Sequence, residues 1–258
     1  MIATAAFVLL FLSLIIQILG LLRKEVPFSF YLLAGTAALL FATTVLRSIN
    51  MGFIAITNTY ESIIFFSAVI ALLLFLYRVR AKEKTLPAVT FVGTLVAIVL
   101  LAVASSPNLP KEVLPPIPAL RSYWLVLHVT FSFIGESFFA FAFSASFYYL
   151  IVRDEQKKRR ADRLIYTSIG IGYPIFTAGA LIFGAIWAQY AWGSYWSWDP
   201  KETWALVTWI VYTGYLHTRF VKKMRGKGSA VLSIVGFCFT MFTFFGVNYL
   251  MKGLHSYG

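Results

Sequence analysis

The sequence predicts an all-α, polytopic integral membrane protein with about eight transmembrane helices. Three observations carry that prediction. Hydrophobic residues make up 60% of the chain and charged residues only 12%, giving a mean hydropathy of +0.79. Apolar runs recur at close to the roughly 20 residues that a helix needs to cross a hydrocarbon core of about 30 Å. Lys and Arg gather in alternate connections between those runs. Backbone polar groups in lipid must be bonded within the spanning structure, which leaves helices or closed barrels, and continuous apolar runs select helices. The whole chain, 1–258, is read as a single membrane domain.

The elements follow in order. Ile2–Leu22 lacks the positive n-region of a secretory signal and reads as a true first span. Phe28–Leu46, the short Ser62–Tyr77 and Leu86–Ala104 come next. The connection SSPNLPKEVLPPIPALRS then carries Pro107, Pro110, Pro115, Pro116 and Pro118, so it cannot be a continuous helix and reads as a lid or shelf over the outer face. Trp124–Val152 is long, and Leu164–Tyr190, Thr203–Phe220 and Ala230–Leu250 complete the set. The single cysteine, Cys238, falls in the last span, so neither a disulfide framework nor a thiolate metal site is available. No inverted repeat of the transporter kind is visible.

A net charge of +12 would suggest nucleic acid in a soluble protein, but its distribution points elsewhere. Arg23 and Lys24, four residues from Arg78 to Lys84, six from Arg153 to Arg163 and five from Arg219 to Lys227 occupy alternate loops; only Arg47, Lys111, Arg121, Lys201 and Lys252 lie on the other side. The positive-inside rule then places both termini on the extracytoplasmic side, together with the loop at 190–204. Basic loops at a membrane follow from topology and anionic lipid, so the lipid bilayer, and no nucleic acid, is the expected partner.

That loop contains WGSYWSWDPKETW, Trp192 to Trp204, which holds four of the seven tryptophans. Trp192, Trp196 and Trp198 beside Asp199, Lys201 and Glu202 describe a flat aromatic shelf with a polar rim, suited to a large planar ligand. Tryptophan also gathers in interfacial belts without any ligand. Of the three histidines, His128 lies near the start of the fifth span and His255 just past the eighth, so both fall near the outer face. His217 lies about 20 Å further in, 13 residues along the seventh span from Trp204. Imidazoles beside an aromatic shelf suit haem, while interfacial histidines are also common as satisfied polar residues; these residues alone leave both readings open. Glu136 forms an i, i+4, i+8 stripe with Ser132 and His128, as a protonated carboxyl bonded to a neighbouring helix or as part of a ligand path. Asp199 before Pro200 reads as a helix N-cap, a role compatible with ligand contact.

The segment WGSYWSWDPKETWALVTWIVYTGYLHTR closely resembles the tryptophan-rich WWD signature of haem-handling proteins, and its wording is similar to the CcsA/ResC family of system II cytochrome c biogenesis. TNTYES at Thr57–Ser62, WLVLHV at Trp124–Val129 and GVNYLMKGLHSYG at Gly246–Gly258 match that family in the same order. CcmC relatives of system I share the histidines and the loop but not the PKETW and GLHSYG wording. The resemblance implies that His128 and His255 are axial ligands of an outer haem b held against Trp192, Trp196, Trp198 and Asp199, and that His217 binds haem on its way out. It implies haem export and thioether attachment to the CXXCH motif of apocytochrome c, as a holocytochrome c synthase. The resemblance also implies a separate CcsB/ResB partner, which in that family supplies a second intramembrane histidine; the first 120 residues of this chain contain none. The location implied is a bacterial cytoplasmic or a thylakoid membrane. Rival readings are a CcmC-type chaperone that only presents haem, and a transporter of another planar or lipid substrate.

Overall fold

Every regular element among the described residues is helical, as the apolar runs require. The computed structural model describes residues 2–23, 29–81, 85–107, 109–221 and 225–251; His255 lies outside the described residues. The chain falls into two units, Met1–Pro116 and Ile117–Gly258.

In the first unit α1 (Ile2–Arg23), α2 (Ser29–Met51), α3 (Thr59–Ala81) and α4 (Pro87–Ala104) pack in chain order, and α4 returns against α1. Gln17 Nε2 donates to Ser13 Oγ at 3.1 Å and to Thr94 Oγ1 at 3.0 Å, which ties α1 to α4. The short apolar run at 62–77 becomes a helix of 23 residues because polar groups complete its ends. Asn58 Oδ1 accepts from Glu61 N at 2.9 Å, and Arg78 and Arg80 fill the last turn, where cations favour the helix dipole.

Arg47 lies within α2, which runs past the expected end at Leu46. It meets Glu61, whose side chain is wholly buried, at 3.0 Å. Glu61 also accepts from Thr57 N at 3.0 Å and Thr57 Oγ1 at 3.1 Å. Arg47 also donates from Nη1 to the carbonyl of Lys111 (2.9 Å) and from Nη2 to that of Glu112 (3.1 Å) and lies over the Tyr60 ring. The TNTYES stretch is therefore one half of a clamp that anchors the proline-rich connection, which runs without regular structure to a 3-10 turn at Pro118–Leu120.

The second unit is built on α5 (Tyr123–Ile151), 29 residues long and N-capped by Ser122, whose Oγ accepts from Trp124 N at 3.2 Å. α6 (Glu155–Phe176) begins well before the expected Leu164. Asp154 caps it by accepting from Lys157 N at 2.8 Å, a bond that holds the Asp154 carboxyl below the usual carboxylate range, and Glu155 sits in the first turn. The basic run after Arg153 is thus a helical extension of the span rather than a loop. A π-helical stretch, Thr177–Phe183, joins α6 to α7 (Gly184–Trp192), so that one rod of 38 residues runs from Glu155 to Trp192. α8 (Pro200–Thr218), α9 (Lys227–Met241), a second π-helical stretch at Phe242–Gly246 and α10 (Val247–Leu250) follow. α5 packs on α6, the first π stretch and α9. Phe139 stacks on Tyr212 at 3.7 Å and meets Phe176 at 5.5 Å, while Phe133 meets Phe244 edge-on at 5.3 Å.

Among the described residues seven helices are long and apolar enough to cross a membrane. The expected seventh span, Thr203–Phe220, is present as the 19-residue α8, but it is not among the seven. Lys201, Glu202, His217 and several Thr and Tyr residues dilute its apolar character.

Candidate functional site

His128 stands in the second turn of α5, half-buried. Its Nδ1 lies 2.9 Å from the carbonyl oxygen of Gly179 in the first π stretch. A carbonyl can only accept, so Nδ1 carries a proton, and in the neutral imidazole the lone pair is then on Nε2, the arrangement of a metal-ligating histidine oriented by a backbone carbonyl. The ring is parallel to that of Trp187, 5.9 Å away with 8° between planes. Trp187 is 2% exposed and fixed by its own bond from Nε1 to the Ala119 carbonyl at 3.0 Å. It meets Trp192, the first tryptophan of the WWD loop, at 4.8 Å and 64°. His128 and the loop are thus joined through Trp187, which lies inside the apolar run Leu164–Tyr190 and is not marked out there by its sequence context.

The loop is ordered by its polar rim. α7 ends at Gly193, whose φ of +77° makes a left-handed cap. Asp199 caps α8, accepting from Lys201 N at 2.9 Å, and forms a capping box with Glu202. One oxygen of Glu202 accepts from Ser197 N (2.8 Å), Ser197 Oγ (3.2 Å) and Asp199 N (3.3 Å). Glu202 is thus the hub of the loop, a role foreshadowed only by the Asp-x-x-Glu spacing. Trp196 and Trp198 pair at 5.7 Å with their planes at 89°, so these two rings present an edge-and-face corner in place of a flat shelf. Trp198 has a φ of +60°, a left-handed conformation costly for a bulky residue, and the residue is 69% exposed. Strain held in place by surrounding hydrogen bonds is typical of binding loops.

His217 sits in the last turn of α8 and is exposed. Its Nδ1 donates to the Thr213 carbonyl at 2.8 Å, so the same tautomer argument leaves the lone pair on Nε2. Between it and the π stretch, Thr213 Oγ1 lies 2.6 Å from Tyr173 OH, Tyr173 stacks on Trp209 at 5.6 Å and 25°, and Trp209 Nε1 donates to Thr177 Oγ1 at 3.0 Å. Both rings are half-buried.

Deeper on α5, Glu136 is 7% exposed, and its Oε2, like Ser132 Oγ, has no hydrogen-bond partner among the described residues. Lys201 acts on it electrostatically. Lys201 also donates from Nζ to Asn248 Oδ1 at 2.9 Å, linking the start of α8 to α10. Among the described residues no cluster of three or more His, Cys, Asp or Glu suits a metal ion. The chemistry on offer is imidazole ligation beside aromatic faces.

A family model described as cytochrome C assembly protein matches residues 56–255. The cytochrome c biogenesis protein CcsA of Guillardia theta is 34% identical over 98% of this chain and 94% of its own length. That of Mesostigma viride is 33% identical over 99% and 95%, and that of Chlamydomonas reinhardtii 39% identical over 80% of this chain and 62% of its own. A solved structure of the cytochrome c heme lyase CcmF superposes with a TM-score of 0.55 at 20% identity, over 98% of this chain and 46% of that one, a likeness of fold to rather less than half of the larger protein. The chain belongs to the CcsA family of cytochrome c biogenesis proteins.

Proposed function

We propose that this protein carries haem b across the membrane and attaches it to apocytochrome c, acting with a CcsB/ResB partner in a bacterial cytoplasmic or thylakoid membrane. The observation that supports this reading is His128: its Nδ1 bonds the Gly179 carbonyl, the arrangement by which a backbone carbonyl orients a metal-ligating imidazole, and Trp187 links it to the WWD loop. In this reading haem is cargo. It passes the level of His217 and is then held outside between His128 and His255, with the aromatic loop positioning the ring.

Each thiol of the CXXCH motif adds across one haem vinyl group. Sulfur bonds to the vinyl carbon next to the ring and the thiol proton ends on the terminal carbon, so no oxidant or reductant is consumed. Two neutral imidazoles saturate the iron, and displacement of one by the histidine of CXXCH couples docking of the substrate to release of the product.

The test is the absorption spectrum of the purified protein with and without its partner, together with haem attachment to co-expressed apocytochrome c. A two-histidine reduced spectrum and thioether-linked product support the reading. Haem without attachment reduces the protein to a haem-presenting chaperone, and absence of haem in both preparations overturns the proposal in favour of another planar or lipid cargo.

A further inference from the structure

The rod from Glu155 to Trp192 presses against α5 at Gly179, where a Cβ would overlap the backbone nitrogen of Ser132. Backbone lies directly on backbone there, and the Gly179 carbonyl comes within reach of His128. In an α-helix the residue stacked above 179 would be Phe183. Here the bond runs from Gly184 N–H to the Gly179 carbonyl, five residues back, so glycine takes that place. Phe183 is turned aside against Phe131 at 5.2 Å and Trp124 at 6.3 Å. The vacated space holds the imidazole: a Cβ on Gly184 would lie 3.0 Å from His128 Nδ1 and 3.1 Å from Cε1. The Gly179 oxygen uses its two lone pairs for two donors, Gly184 N–H and His128 Nδ1–H.

We infer that the π-helical turn at Thr177–Phe183 is the device that presents His128 as an Nε2 ligand, with Gly179, Gly184 and Trp187 as its positioning residues. Gly179 fixes the tautomer, Gly184 makes room for the ring, and Trp187 sets its plane. π-turns of this kind recur at functional sites, and loss of the groups that orient a metal-bound histidine typically costs about 10- to 100-fold in affinity or activity. The inference rests on reading His128 as an outer haem ligand, and its test separates the two.

The experiment uses the full chain co-purified with its partner and compares Gly184→Ala in two backgrounds, native His128 and His128→Gly supplied with imidazole. With His128 present, Gly184→Ala shifts bound haem from six-coordinate low-spin toward five-coordinate high-spin and lowers haem retention about tenfold, and added imidazole restores the low-spin spectrum. With His128→Gly, where the ligand is no longer tethered, Gly184→Ala adds no further loss. Equal losses in both backgrounds mean a packing defect and overturn the inference, as does an unchanged spectrum with His128 present. Should Gly184→Ala fail to accumulate, Trp187→Leu adds no bulk and is read the same way: the same spectral shift with imidazole rescue supports the inference, and a native low-spin spectrum overturns it. A wild-type spectrum in His128→Gly without imidazole removes the ligand reading itself, and the inference with it.

Discussion

At the scale of single residues, two of the three histidines share one device, an Nδ1 proton given to a backbone carbonyl: Gly179 for His128 and Thr213 for His217. His128→Ala and His255→Ala are each expected to abolish cytochrome c maturation, with partial recovery in added imidazole, whereas His217→Ala lowers the haem reaching the outer site at equal protein level. Normal haem content and maturation in both outer variants sinks the ligand assignment. The loop offers a finer test. Asp199→Asn keeps the α8 cap and is expected to remain stable, whereas Asp199→Ala costs about 1 kcal/mol. Trp198→Gly removes the ring and relieves a left-handed backbone, so thermal stability should be equal or higher while haem retention falls; unchanged retention would show that neither the ring nor the strain serves binding. Asp199 was legible as a cap from the Asp-Pro pair. Trp187 was not, because a tryptophan inside an apolar run carries no sign of what its face touches.

At the scale of elements, the apolar runs placed the helices, and the departures have local causes. α3 grew at both ends because Asn58 and the two arginines complete it, and α6 grew backwards because Asp154 and Glu155 suit a helix start. The π stretches left no residue signature of their own, although Pro174 lies in α6 just ahead of the first and removes an N–H from the α-ladder. The Arg47–Glu61 clamp was equally hidden, since its parts come from α2, α3 and the proline-rich connection. Its worth can be measured. Arg47→Met leaves a buried carboxylate with only Thr57 to satisfy it, and loss of one partner of a buried ion pair costs about 3–5 kcal/mol. A marked fall in the thermal midpoint in detergent is expected. Replacing both residues, as Arg47→Met with Glu61→Gln, should cost less than Arg47→Met alone, and the reverse order would show that the charge pair is not what holds the clamp.

At the scale of the whole molecule, the proposed mechanism turns on α8. Among the described residues seven helices qualify as spans by length and hydropathy, whereas the charge pattern predicts the WWD loop outside and the basic residues from Arg219 to Lys227 inside, an expectation that requires α8 to cross. Its 19 residues make about 28 Å of helix, close to the hydrocarbon thickness. Several of its polar groups are bonded within the protein: Thr208 bonds Thr243 at 3.2 Å, Thr218 bonds Ser229 at 3.0 Å, and Arg219, the residue after α8, forms a two-pronged pair with Asp162 at 2.7 and 2.9 Å, while the buried hydroxyls of Tyr212 and Tyr215 have no hydrogen-bond partner among the described residues. Polar side chains bonded to neighbouring helices are compatible with a membrane span even where hydropathy falls short. The prediction is therefore topological. In a Cys238→Ser background, a cysteine at the exposed Tyr195 should react with a membrane-impermeant maleimide added from the extracytoplasmic side, and one at Arg225 only after the membrane is opened. Labelling of both positions from the same side would show that α8 does not cross. His217 would then lie on the same face as the loop, and a path for haem from His217 to His128 across the bilayer would have no basis.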